Sequence, residues 1–263
     1  MNTVREITDF LFTLAPAYMK ENWDNVGLVV GRGDRPVTKM LVALDASMEV
    51  LQEAEQMGCQ MVVSHHPVIF GGLKQLNEDS VTGRAVLFAA EKQIACVNMH
   101  TNLDSVHGGV NDVLAAVLGL QGIELVSPRG TDEAGNGYGY LRCGLVPETS
   151  LPDFAALVKR TLSCSGARFA NGGKPVHKVA VGGGACGDEM ASAAAAGCDT
   201  FVTADIKYHQ FRDAAAMGMN LIDAGHFETE VPICDYVCGK LREKFPDITV
   251  LLSQKQKSPI EFI

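Results

Sequence analysis

Residues 39–67 read KMLVALDASMEVLQEAEQMGCQMVVSHHP, and this stretch decides the architecture. MLVALDAS and CQMVVSHHP are short apolar runs closed by turn formers, the pattern of buried strands, while MEVLQEAEQMG between them spaces its apolar side chains at helical intervals. A helix between two such strands predicts a parallel pair joined by a crossover. Residues 178–209, KVAVGGGACGDEMASAAAAGCDTFVTADIKYH, repeat the order, and Gly58-Cys59 before the first Val-rich strand corresponds to Gly197-Cys198 before the second. Each copy then continues through a helical segment to another short strand, IACVNMHTNLD at 94–104 and MNLIDAGHFETE at 219–230.

The predicted fold is therefore α/β, with two related α/β lobes built on largely parallel mixed sheets. Residues 1–126 and 231–263 are assigned to the first lobe and 127–230 to the second. The turn-rich span Gly122 to Gly137, with Pro128, Gly130 and Gly135, serves as the crossing, and ITVLLSQKQKSPIEFI returns as a terminal strand to the first lobe. Open α/β sheets collect ligands at the carboxyl ends of their strands, so the site is expected there, between the lobes.

The composition suits such a core: 263 residues, 47% hydrophobic and 20% charged. A net charge of -9 repels phosphate backbones and anionic lipid, which makes nucleic acid an unlikely partner. At the amino end Ile7, Phe10, Leu11 and Leu14 stand at helical spacing with Glu6 and Asp9 among them, an amphipathic helix rather than a signal peptide. No apolar run approaches the ~18 residues of a membrane span, so a cytoplasmic protein is expected. The eight cysteines include no C-x-x-C pair and read as buried thiols. Cys234 and Cys238, one helical turn apart, read as small helix-face residues or, alternatively, as a shared ligand pair.

The strand ends carry the chemistry. His65 and His66 close the Val62-Val63 strand just before Pro67. Adjacent strand residues point to opposite faces, but at a strand end the backbone can turn and give each imidazole its own ion; the other reading is one buried and one exposed histidine. Asp104 ends NMHTNLD and either bridges two cations or caps the following helix. His100, four residues earlier, is a ligand, an orienting group or a proton carrier. In GHFETE, His226 and Glu230 are four residues apart and share a helix face, whereas Glu228 faces away and is explained by the helix dipole.

Three histidines and two carboxylates form a nitrogen and oxygen donor set suited to Zn, Fe, Mn, Co or Ni rather than to Ca or Mg. Five ligands exceed the needs of one open zinc and suit two divalent metal ions sharing a water. Lys207, Tyr208 and His209 follow the FVTAD strand, so His209 is a candidate proton carrier as well as a candidate structural residue. Gly182-Gly183-Gly184 reads as close strand-to-helix packing rather than a phosphate loop. Asp45 reads as a cap, and Asp24 and Asn25 as turn-forming residues.

Taken in order, ENWDNVGLVVG (21–31), VSHHP (63–67), HTNLD (100–104), TADIKYH (203–209) and GHFETE (225–230) resemble the NIF-three-like dinuclear metal-centre hexamer family, whose bacterial members carry the name GTP cyclohydrolase I type-two homologue. The resemblance covers nearly the whole chain. It implies that His65, His66, Asp104, His226 and Glu230 are metal ligands, that the chain assembles as a toroidal homohexamer with sites facing an interior cavity, and that the domain longer members insert between the lobes is absent, since Val126 to Val179 is too short for it. The implied activity is metal-dependent hydrolysis of a nucleotide or related small molecule, with His100 and His209 as catalytic candidates. The competing reading is a non-catalytic metal-binding, metal-delivery or regulatory protein.

Overall fold

A computed structural model describes residues 2–263 and divides into two compact units, Met1–Leu103 with Ile233–Lys257, and Asp104–Pro232 with Ser258–Ile263. Among the described residues the first unit holds a five-stranded sheet in the order Gly27–Val30, Ala95–Asn98, Met61–His66, Lys39–Asp45, Thr249–Leu252. All pairings are parallel except that of the edge strand Gly27–Val30. The 39–67 stretch folds as the anticipated strand, helix (Met48–Gln56) and strand. The returning strand Thr249–Leu252 pairs in parallel with Lys39–Asp45, as its alternation suggested.

The second unit repeats this plan within a six-stranded sheet ordered Gln121–Val126, Leu141–Thr149, Val176–Val181, Thr200–Thr203, Asn220–Asp223, Arg168–Ala170. Its three central strands, Val176–Val181, Thr200–Thr203 and Asn220–Asp223, are parallel, and the flanking strands are added antiparallel. The repeated Gly-Cys pair has a local cause. Gly58 (φ +68°) and Gly197 (φ +77°) end their helices in the left-handed region. The amides of Cys59 and Cys198 then reach back to Ala54 O at 2.8 Å and Ala193 O at 3.2 Å, closing a Schellman turn and sending the chain into the next strand. Burial pushes the two thiols up to about 11 and about 12, so both act as small apolar groups.

The lobe boundaries fall elsewhere than expected. Residues 104–126, which the sequence reading placed in the first lobe, belong to the second unit, because Gln121–Val126 pairs with Leu141–Thr149 and the helix Val110–Val117 supplies Leu114 and Ala115 to that unit's core. The Gly130–Thr131 and Gly137–Tyr138 strands form a hairpin inside the second unit. The chain passes between units at Leu103–Asp104 and Pro232–Ile233, and the final residues, Ser258–Ile263, join the second. Cys234 and Cys238 are buried with Ile233, Val237 and Leu241 on one helix face, consistent with packing. No helix among the described residues is long and apolar enough to cross a membrane.

Candidate metal centre

In the first unit three imidazoles converge at the carboxyl end of the sheet. His65 and His66 are the last residues of the strand Met61–His66, and His100 follows the end of the neighbouring strand Ala95–Asn98. The Ser64 hydroxyl donates to His66 O at 2.7 Å at the strand end, where His66 still pairs with Asp45. The rings of His65 and His66 stand with centroids 4.9 Å apart. His100 lies 5.3 and 5.5 Å from them, and one ligand nitrogen of each ring falls within 4.8 Å of the others.

Every ring is oriented from behind. His65 Nδ1 lies 2.8 Å from Met99 O, His66 Nδ1 2.8 Å from Asp45 Oδ1, and His100 Nδ1 2.8 Å from Asp24 Oδ1. With Nδ1 engaged as donor, Nε2 is the basic nitrogen, the arrangement that supports metal-ligating histidines. Asp45 is thus not a helix cap; Ser47 fills that place by accepting from the Val50 amide. Nor is Asp24 only a turn residue. Burial raises its pKa, but hydrogen bonds from His100 and Thr101 outweigh this and hold the carboxyl far below the ordinary range.

The second unit carries its own donor set. His226 opens the short helix His226–Glu230, which follows the strand Asn220–Asp223. One turn separates His226 from Glu230, and His226 Nε2 stands 3.1 Å from Glu230 Oε2. Again a carboxylate orients the ring: Asp205 Oδ2 lies 2.7 Å from His226 Nδ1, presented from a left-handed residue (φ +54°) just past the Thr200–Thr203 strand. Asp104 sits inside the helix Thr101–Ser105, and the next helix, Val110–Val117, is capped at Gly109 without a side-chain bond. Capping therefore does not account for Asp104.

The glycine run 182–184 makes room for this set. Gly184 has φ +62°, and a Cβ there would stand 2.1 Å from Glu230 Oε1 and 3.1 Å from His226 Nε2. Its amide donates to Thr229 Oγ1 at 3.0 Å, while the Gly183 amide donates to Asn111 Oδ1 at 2.7 Å. Asn111 in turn donates to Asp104 O at 3.0 Å. Close packing is thus part of the explanation, but Gly184 also shapes the space beside two candidate ligands, which the sequence reading missed. Burial, and then the charges of Asp104 and Glu230, push the thiol of nearby Cys186 far up.

Glu228 is buried, not solvated, with its carboxylate against Gly225. His209 is exposed at the start of the helix Tyr208–Ala216, beside Tyr208 at 79% exposure, and joins no cluster of three or more such donors among the described residues. The orienting carboxylates Asp24, Asp45 and Asp205 also escaped a reading by motif. Asp24 and Asp205 lie within the quoted stretches ENWDNVGLVVG and TADIKYH, but nothing in those stretches names the ring each one orients.

A family model, Duf34/NIF3 (NGG1p interacting factor 3), matches residues 2–259. A Clostridium perfringens protein named GTP cyclohydrolase 1 type 2 homolog is 34% identical over 263 residues, with 99% of each chain covered. The structure of a Bacillus cereus protein related to NIF3 superposes with a TM-score of 0.93 at 25% identity, covering 100% of this chain and 99% of that one. A Staphylococcus aureus hypothetical protein, SA1388, gives 0.91 at 30% identity with 99% of both chains covered.

Proposed function

This chain belongs to the Duf34/NIF3 family, and we propose that it is a dinuclear metal-binding protein acting as a hydrolase on a nucleotide or related small molecule. In this reading His65, His66, Asp104, His226 and Glu230 hold two divalent ions of the Zn, Fe, Mn, Co or Ni group. The observation that carries it is the common support of the rings: Nδ1 of His65, His66 and His226 each meets a carbonyl or carboxylate oxygen within 2.8 Å, so that Nε2 is the ligand atom in all three.

Two divalent ions would acidify a shared water and polarise the bond under attack. The chain's own contribution is proton handling and orientation. His100, backed by Asp24, holds a basic Nε2 beside His65 and His66 and can take a proton from the attacking water or return it to a leaving nitrogen. His209, exposed outside this cluster, would serve only a ligand extending to the start of its helix. The relatives' name, GTP cyclohydrolase 1 type 2 homolog, makes a guanine nucleotide the first substrate to try; water would add to the imidazole ring and a ring C–N bond would break.

The metal-loaded protein is expected to turn over GTP or another member of a nucleotide panel, with activity abolished by a chelator and restored by one of the five metals. No turnover, together with ready exchange of metal to an acceptor, would replace this reading with the non-catalytic metal-binding one. We further propose that the chain forms the closed homohexamer implied by its resemblance. Light scattering should then give a mass well above the 28.1 kDa of one chain, and a monomer at micromolar concentration would sink the assembly.

A further inference from the structure

We propose that Trp23 and Phe70 form a ring-binding subsite beside His100 that takes the planar base of a free nucleotide; this rests on the reading of the site as one for nucleotides and specifies which part of the substrate the first unit holds. Trp23 is the chain's single tryptophan. It is 61% exposed and Phe70 57% exposed, yet neither is scattered at random over the surface. Trp23 meets the His100 ring edge-on with centroids 6.0 Å apart and 73° between planes, and Phe70 meets it at 5.6 Å and 86°. Phe70 also lies 6.3 Å from His66. Two exposed aromatic rings thus border the imidazole cluster.

The chain segments that carry the two rings are held in place from beneath. The buried carboxylate of Asp24, next to Trp23, accepts from His100, from the Thr101 amide at 3.0 Å and from its hydroxyl at 2.5 Å. Asn25 donates to Ile69 O at 3.1 Å, which ties the Trp23 turn directly to the segment carrying Phe70. Asn98, fully buried, donates to Asn25 O at 2.7 Å and fixes the same turn to the end of the Ala95–Asn98 strand. Rings carried on an anchored backbone lose less entropy on binding than rings on a mobile loop. Apolar flat faces next to polar ring nitrogens suit a π-system with hydrogen-bonding edges, which is what a nucleobase offers. The net charge of -9 argues against the polyanionic backbone of a nucleic acid strand.

The test uses the emission of the single tryptophan in the metal-loaded full chain. Guanosine and GTP are expected to change it saturably, and tripolyphosphate is not. By equilibrium dialysis, Phe70→Ala and Trp23→Ala should each weaken guanosine binding about tenfold or more, the loss typical of one base-aromatic stack. Trp23→Phe should recover most of that loss, and metal content per chain should stay at the wild-type value in all three. Failure of guanosine to bind, a response to tripolyphosphate equal to that of GTP, or wild-type guanosine affinity in both alanine variants would overturn the subsite. A hexanucleotide acting at lower concentration than GTP would overturn the free-nucleotide assignment. The two readings fail separately: guanosine bound with no nucleotide turned over sinks the hydrolase alone, and turnover whose KM is unmoved by either alanine variant sinks the ring subsite alone.

Discussion

Glu230→Gln is expected to remove both ions from the chain, whereas Glu228→Gln retains two. Glu230 lies one turn beyond His226 with its Oε2 3.1 Å from His226 Nε2 and its Oε1 against the bare face of Gly184. Glu228 is turned by about 200° from His226 on a helical wheel of ~100° per residue, and its carboxylate packs against Gly225 instead. The amide of glutamine keeps the shape of Glu230 but not its charge, and in the proposed centre that charge would offset repulsion between two dications. Occupancy should therefore fall for the pair, not for one ion. Elemental analysis after dialysis reads the outcome, with circular dichroism to check that both variants fold. One ion per wild-type chain, or equal losses in the two variants, would sink the assignment.

The largest effect on stability is expected at Arg142, whose side chain is 2% exposed and sits within the second unit. Its Nε donates to Asp112 Oδ2 at 2.7 Å. The remaining nitrogens donate to the carbonyls of Gly139 (2.7 Å), Leu141 (3.2 Å), Ser105 (3.3 Å) and Val106 (2.9 Å). Arg142→Met would fill the volume but remove the guanidinium from Asp112, which keeps the Gly108 amide, and from four carbonyls, of which Ser105 O and Val106 O keep a backbone donor; breaking a buried pair in this way costs about 3–5 kcal/mol. Arg142→Lys should recover little, because one ammonium cannot reproduce the guanidinium fork. Since Ser105 and Val106 directly follow Asp104, metal content should fall along with stability. Denaturant unfolding measures the first effect; a loss under about 1 kcal/mol, the size of an ordinary substitution, would show that this network is dispensable.

Much of the architecture is legible in local stretches of the chain, and specific residues show why. The strand, helix and strand of 39–67 rest on periodicity, which depends only on which neighbours along the chain are apolar. The repeated Gly-Cys pairs likewise mark a turn completed within six residues. His226 and Glu230 are legible as partners because helical geometry by itself places i and i+4 on one face. The lobe boundary is less accessible: whether Gln121–Val126 joins one sheet or the other depends on its pairing with Leu141–Thr149, some twenty residues away, and no local signal encodes that choice.

By itself, then, the sequence determined the α/β class, the internal repeat, the family, and the candidate ligands His65, His66, Asp104, His226 and Glu230, all of which follow from residue type, spacing and motif order. Only the tertiary structure decided what stands behind the candidate ligands and the neighbouring His100. Asp24 reaches His100 across 76 positions, Asp45 reaches His66 across 21, and Asp205 reaches His226 across 21. A carboxylate at a strand end looks in sequence like a cap or a turn former, because its role is set by the partner that the folded sheet brings within hydrogen-bonding distance. The same holds for Gly184, whose missing side chain is informative only once the Glu230 carboxylate is seen to occupy that space.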